Sequence, residues 1–209
     1  MARIPNEKKR DAKREMILEK ARKVFCSKGF LNVTMTDIVD ACGISRGGLY
    51  LFFSSVEELF QAVISNRNIS RFEIVRRQIE QNADFYALLE QYFSMQKERL
   101  LNMENSILMA TYEYYSVHQE PADIAFRNAQ IACIRKTISD ILKLGVKQGA
   151  IDDSGIDDIA ESYMYLIEGM SVFGMFNNLS EAYIETQFQQ MKNMLKVRQS
   201  KSISSAEMR

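Results

Sequence analysis

The stretch TMTDIVDACGISRGGLYLFFSSVEEL, residues 34–59, decides the fold. Thr34 and Thr36 are both side chains that accept a hydrogen bond at a helix start, and Asp37 puts negative charge into the first turn. Ile38, Val39, Ala41 and Cys42 then make a short helix, which Gly43 ends because glycine takes positive φ at little cost. Ile44 can plug the joint, and Ser45 can cap a second short helix. That helix reads as Arg46 to Phe52, despite the Gly47-Gly48 pair that weakens it. Ser54 or Ser55 caps a longer helix, with Glu57 and Glu58 in its first turn. Ser54 and Glu57 have the spacing of a capping box.

Two short helices around a glycine turn form a helix-turn-helix. Ile38, Val39, Ala41, Leu49 and Phe53 can pack it on a preceding helix, whose apolar face is Ile17, Ala21, Val24 and Phe25 and whose stop is Gly29. Ser45, Arg46, Gly47, Gly48 and Tyr50 are left facing outward. A helix of that kind fits the major groove of duplex DNA. The Arg46 fork matches guanine O6 and N7, and the glycines allow close backbone approach. Thr34, Thr36, Tyr50 and Ser55 can donate to phosphates, helped by free N–H groups at the helix starts.

Charge supports an anionic partner. Lys+Arg and Asp+Glu each number 27, but from Met1 to Lys28 there are ten basic residues against four acidic, and from Asn68 to Arg209 there are 15 against 19. A solvated first helix also accounts for the basic start. The longest uncharged stretch, Gly169 to Ser180, has 12 residues and is too short to span a bilayer. No apolar region follows the basic start, so no secretory signal is expected, and Cys26, Cys42 and Cys133 imply no disulfide framework. The expected compartment is the cytoplasm.

Beyond Asn68 the pattern predicts helices over 84–101, 104–117, 122–148, 154–177 and 181–198, with Pro121 at the entry to the third and Ser154 capping the fourth. The polar tail 199–209 reads as flexible. The fold class is all-α. The predicted division is 1–67, a three-helix DNA-binding head with a basic arm, and 68–198, a helical bundle. Nothing points to catalysis or a cofactor. The single histidine, His118, cannot build a histidine-rich metal site, and no phosphate-binding glycine loop occurs. Asp152-Asp153 and Asp157-Asp158 miss the calcium-loop spacing and read as caps.

The runs Phe25-Cys26-Ser27-Lys28-Gly29-Phe30, Thr34-Met35-Thr36-Asp37-Ile38, Gly43 through Phe53, and Glu57-Glu58-Leu59-Phe60 together resemble the head of TetR-type transcriptional regulators. The resemblance covers about residues 12 to 62. It implies a homodimer, usually a repressor, that binds a palindromic operator and releases it when a small hydrophobic or amphipathic effector occupies the body, so that 68–198 would be the ligand-binding and dimerisation part. By position it puts operator contacts on Thr34, Thr36, Ser45, Arg46, Gly47, Gly48, Tyr50 and Phe52. Phe52 stands where the family often has His or Tyr, and Val56 where it often has Lys or Arg. A basic arm from Arg3 to Arg14 can supply the missing backbone contact.

In the body, Ile159, Tyr163, Leu166 and Met170 fall in one stripe and Ile184, Phe188, Met191 and Leu195 in another. These can be core. The resemblance instead implies a two-fold four-helix dimer interface. Met103, Met109, Tyr112, Tyr115, Phe126 and Phe173 are the residues suited to an adaptable effector pocket, although such a stripe can equally be core. His118 reads as a surface residue at a helix end. The competing class is a helical interaction module whose basic head binds another protein or an anionic membrane surface.

Overall fold

The computed structural model describes residues 6–103 and 106–197, in which nine helices follow one another. The first four are α1 (Asn6–Lys28), α2 (Met35–Cys42), α3 (Arg46–Tyr50) and α4 (Val56–Glu80). The rest are α5 (Phe85–Leu101), α6 (Leu108–Val117), α7 (Pro121–Lys147), α8 (Ile156–Phe176) and α9 (Glu181–Asn193). Ile151 and Val197 pair as an isolated antiparallel bridge.

Local chemistry sets the head. Gly29, at φ +74°, ends α1 by donating its N–H to the Phe25 carbonyl at 3.0 Å. Thr34 starts α2 as a full capping box: its Oγ1 accepts from Asp37 N, and Asp37 Oδ2 accepts from Thr34 N at 2.8 Å. Ser45 Oγ accepts from Gly48 N at 3.1 Å to start α3. At α4 the capping serine is Ser55, which accepts from Glu58 N at 3.1 Å. The Glu58 carboxylate reaches back to Ser54 N and Oγ at 2.7 and 2.6 Å. The expected Ser54–Glu57 box is thus displaced by one residue, because Glu58 and not Glu57 lies on the side of the entering chain.

Two apolar cores result. The head core gathers Ile17, Ala21, Phe25, Phe30, Ile38, Leu49, Phe53, Leu59 and Phe60, and it also takes in Ile107, Ala110 and Tyr114 from around α6. The body core is built from Phe85, Leu88, Phe93, Leu142, Tyr163, Ile184, Phe188 and Met191 among others. α4, 25 residues and so about 37 Å long, contributes Leu59 to Ile64 to the first core and Val75 to the second. The Asn68 boundary therefore falls inside a continuous helix.

Several element limits differ from expectation. α3 stops at Tyr50, not Phe52, because the chain tightens to a three-residue turn (Phe52 N to Leu49 O, 2.9 Å) that turns Phe53 into the core. α6 starts at Leu108, with the Ser106 hydroxyl accepting its N–H at 3.3 Å, while the expected start, Glu104, lies outside the described residues. α8 is preceded by Gly155 at φ +75° with no side-chain cap, so Ser154 has no capping role. α9 ends at Asn193 rather than Arg198, because the chain leaves to form the Ile151–Val197 bridge, with Asp152 N donating to Lys196 O at 2.8 Å. The tail 199–209 is outside the described residues.

At Gly145 in α7, an added Cβ would meet the ring of the fully buried Phe85 at 2.8 Å. Alanine gains up to about 1 kcal/mol in helix propensity, but overpacking a fixed ring costs about 1–3 kcal/mol. Gly145→Ala is expected to destabilise the chain by a net of up to about 2 kcal/mol and so to lower the urea midpoint; an unchanged or raised midpoint would show that α5 and α7 are less tightly packed than described.

Candidate nucleic-acid interface and body cavity

The capped turn between α2 and α3 fixes which side of α3 faces solvent. Leu49 is fully buried, whereas Ser45, Arg46, Gly47 and Tyr50 are exposed and Gly48 is half-buried. Arg46 and Tyr50, four residues apart, share the outer face, with the guanidinium 5.6 Å from the ring centroid. Gly43, at φ +64°, permits the turn. Ser45 and Ser55 use their oxygens as caps, which leaves each hydroxyl proton available to an external acceptor. Thr36 is exposed. Thr34 is different: its hydroxyl donates to Asp37 Oδ2 at 2.8 Å, so a phosphate would have to compete with the cap for that proton.

Phe52 is not a bare contact residue. Its ring is half-buried and carries the Arg10 guanidinium at 5.9 Å and the Lys13 ammonium at 5.8 Å. Arg14 lies 5.5 Å from the Phe53 ring centroid. The expected basic arm is correspondingly no extended arm over its described part, because residues 6–14 are the first turns of α1. Arg3 lies outside the described residues. The aromatic pair pins two or three cations of α1 beside α3: Lys13 Nζ comes within 3.8 Å of where a Gly48 Cβ would stand. Reading the sequence missed this because the partners are far apart in the chain. The signal was an aromatic without a hydroxyl at a position where the family resemblance implies a hydrogen-bonding side chain.

A second feature lies in the body. A cavity of about 420 Å³ is bounded by α4, α5, α6, α7 and α8. Leu88, Tyr92, Met95, Leu108, Ile131, Ile134, Ile138, Met164 and Ile167 supply an apolar wall, and Arg67, Gln96, Arg99, Arg127 and Glu168 interrupt it. Leu108, Thr111, Tyr112 and Tyr115 face the cavity at the one-sided helical spacing i, i+3, i+4, i+7. The Tyr112 hydroxyl donates to Glu168, and burial together with that carboxylate pushes the phenol well above its ordinary range. Burial also pushes Tyr115 up to about 12, against the lowering effect of Arg127, whose guanidinium is 5.7 Å from its ring centroid.

Of the six expected pocket residues, the structure brings only Tyr112 and Tyr115 to the cavity. Met109 and Phe173 are exposed on the outside, since Met109 sits off the inward stripe of α6. Met103 packs on the body core beside Gly174, and Phe126 packs on the head core with its ring 6.2 Å from Tyr114. Arg99 and Gln96 were missed. The available signal was that both are polar residues three apart on the otherwise apolar inner stripe of α5. Cys133 also lines the cavity. His118 is not a free surface group either: it ends α6, with its ring stacked on Tyr114 at 4.1 Å.

The expected dimer stripe needs the same correction. Tyr163, Met170, Ile184, Phe188, Met191 and Leu195 are enclosed in the core of the single chain, and Ile159 is half-buried against it. Only Leu166 is exposed. α8 carries two apolar stripes, and the outward one is Leu166, Phe173 and Phe176, flanked by Tyr165 and by Tyr183 of α9.

Among the described residues no group of His, Cys, Asp and Glu is disposed to hold a metal ion, and no helix is long and apolar enough to cross a membrane. Residues 17–63 match the model of the family described as "Bacterial regulatory proteins, tetR family". The HTH-type transcriptional regulator YfiR of Bacillus subtilis, itself named uncharacterized, is 33% identical over 108 residues, covering 50% of this chain and 51% of its own. The HTH-type transcriptional regulator UidR of Escherichia coli is 42% identical over 62 residues, 28% of this chain and 32% of its own. The chain thus spans about half or less of the length of these relatives.

Likeness in fold extends further. The reduced form of Escherichia coli NemR superposes with a TM-score of 0.74 over 88% of this chain and 98% of that one, at 15% identity. A TetR-family regulator from Agrobacterium tumefaciens does so with a TM-score of 0.70 over 89% and 98%, at 17% identity.

Asp37 offers a check of the head geometry. A hydrogen bond from Lys28, then those from Thr34, hold its carboxyl down from an ordinary 3.8 to about 2. The cap's contribution is therefore present above pH 4 and lost only as pH falls through about 2. An NMR titration of the Asp37 carboxyl should have its midpoint near 2 and move upward in Lys28→Met; a midpoint at 3.8 in the unaltered chain would mean that the capping box is open in solution. The capped helix-turn-helix lies within residues 17–63, which match the tetR family of bacterial regulatory proteins, and the helical fold of the whole chain is shared with the solved structures named above.

Proposed function

We propose that the chain is a ligand-responsive transcriptional repressor. In this reading residues 1–67 read a palindromic operator as part of a homodimer, and residues 68–198 dimerise and bind a small hydrophobic or amphipathic effector that releases the DNA. The observation that carries the reading is the outer face of α3, where Arg46 and Tyr50 stand exposed beside the α1 cations held on Phe52. Arg46 is the base-reading residue, with Tyr50 and the backbone at Gly47 and Gly48 fitting it to the groove. Thr36, Ser45 and Ser55 hold phosphates, and Arg10 and Lys13 add the charge that Phe52 itself lacks. The names of YfiR and UidR, both HTH-type transcriptional regulators, support the same role.

The dimer surface in this reading is the exposed outer stripe of α8 and α9, with Leu166, Phe173, Phe176 and Tyr183, rather than the stripe that the protomer buries. A two-fold dimer on such a face sets two recognition helices about 34–36 Å apart for half-sites one helical turn apart. Release follows from a shared wall. Ile64 of α4 and Ile107, just before α6, line the cavity, and both residues belong to the head core as well. An effector that repacks the cavity therefore shifts the head. Inverting a 99:1 population would require a preference of about 5.5 kcal/mol between the two states.

Selection of the purified protein against randomised duplexes should enrich a palindrome. Arg46→Ala should relax discrimination at one base pair per half-site by about 1–3 kcal/mol. Equal weakening on every sequence would make Arg46 a phosphate contact. No enrichment at all, with binding lost uniformly as salt rises, would overturn the operator reading in favour of a nonspecific basic head.

A further inference from the structure

The body cavity is apolar over most of its wall, yet three arginines line it, Arg67, Arg99 and Arg127, against a single carboxylate, Glu168. Arg99 is the unusual member. Its Nη2 donates to Ser171 Oγ at 2.7 Å, while its Nε is buried without any hydrogen-bond partner. No ion pair joins it to a carboxylate among the described residues, and the Glu168 oxygen takes the Tyr112 hydroxyl instead. Burial lowers the pKa of the guanidinium, against the opposing pull of Glu168 and of the Tyr92 and Tyr112 phenols. The guanidinium lines the cavity, and a charge held there without a carboxylate partner is unfavourable for folding. An anion bound in the cavity would compensate it.

We propose that the effector is an amphipathic monoanion, a carboxylate on a hydrocarbon or aromatic body, whose head group is recognised by Arg99. The inference rests on the reading of this cavity as the effector site. A guanidinium binds a carboxylate more strongly than a neutral acceptor because the hydrogen bonds are charge-assisted. A cation would meet three arginines. A neutral ligand would leave the charge of Arg99 uncompensated. Glu168 opposes an anion, but Tyr112 already donates to it, and Arg99 and Arg127 together carry more charge than it does. The isoleucines and methionines of α5, α7 and α8 receive the apolar body, and a cavity of about 420 Å³ is of the size that takes a small organic ligand.

The test is calorimetric titration of the full chain at pH 7.5 and low salt, with two matched series of probes below their aggregation limits. One series is dodecanoate, dodecan-1-ol and dodecylammonium; the other is 2-naphthoate, 2-naphthalenemethanol and 2-naphthylmethylammonium. In at least one series the acid should bind tenfold or more tightly than its alcohol, and the ammonium most weakly. Arg99→Met should bring acid and alcohol together, and Arg99→Lys should restore part of the difference. Arg99→Met should also melt no lower than the unaltered chain, since it removes an uncompensated buried charge. Equal binding of acid and alcohol, stronger binding of the ammonium, or no binding in either series overturns the proposal. The duplex selection run on the same preparation separates the two failures. An enriched palindrome with no preference for the acid removes only the effector class, whereas a preference for the acid without DNA selection removes only the operator reading.

Discussion

Tyr114 is fully buried where the head meets the body, and its ring packs on Phe30, Phe60 and His118 at centroid distances of 5.0, 5.1 and 4.1 Å. A phenol in that position must satisfy its hydroxyl. It does so by accepting from Gln61 of α4 and donating to Asp123 of α7 at 3.2 Å. One residue before it, Glu113 accepts from the backbone N–H groups of Phe30 and Leu31, just past the end of α1. α6 is therefore fixed to the head by an aromatic cluster, by a phenol bridging two long helices, and by a carboxylate on the loop after α1. Its other face, Thr111, Tyr112 and Tyr115, is cavity wall. The helix-turn-helix and the walls of the cavity are therefore mechanically continuous.

The head was legible because its determinants are local. Thr34 with Asp37, Ser45 with Gly48, and the positive φ of Gly43 each act within a few residues, and the inward positions Ile38, Leu49 and Phe53 follow from the period of the helices. The role of Phe52 was not legible, because its partners Arg10 and Lys13 come from the first turns of α1. A pattern of apolar residues identifies a face of a helix but does not say what covers it. That is why the inward stripe of α8 passed for a dimer surface. Leu166 belongs to the outward stripe, though it sits three residues from Tyr163 and four from Met170 in sequence. The same limit applied to the cavity. Density of Met and aromatic residues drew attention to Met109 and Phe173, whereas the walls are set by polar interruptions such as Gln96 and Arg99.

Charge is distributed in a way that the neutral total conceals. The α1 cations near α3 stand on aromatic rings and not on carboxylates, so they are oriented without being neutralised. Elsewhere several cations stand on carboxylates: Lys97 pairs with Glu181 and Glu185 at 2.9 Å, and Lys136 with Asp140 at 2.8 Å. These exposed pairs contribute little stability.

The cavity's walls are unequal in what a change in them would disturb. Ile64 of α4 and Ile107 before α6 belong to the head core as well, so altering them to suit a new ligand would also alter the helix-turn-helix. Met95, Ile131, Ile134 and Met164, on α5, α7 and α8, line the cavity without belonging to that core. Changes of cavity shape on those three helices would leave the core under the helix-turn-helix untouched. Among descendants of such a chain, the lining of the cavity is free to diversify faster than the helix-turn-helix.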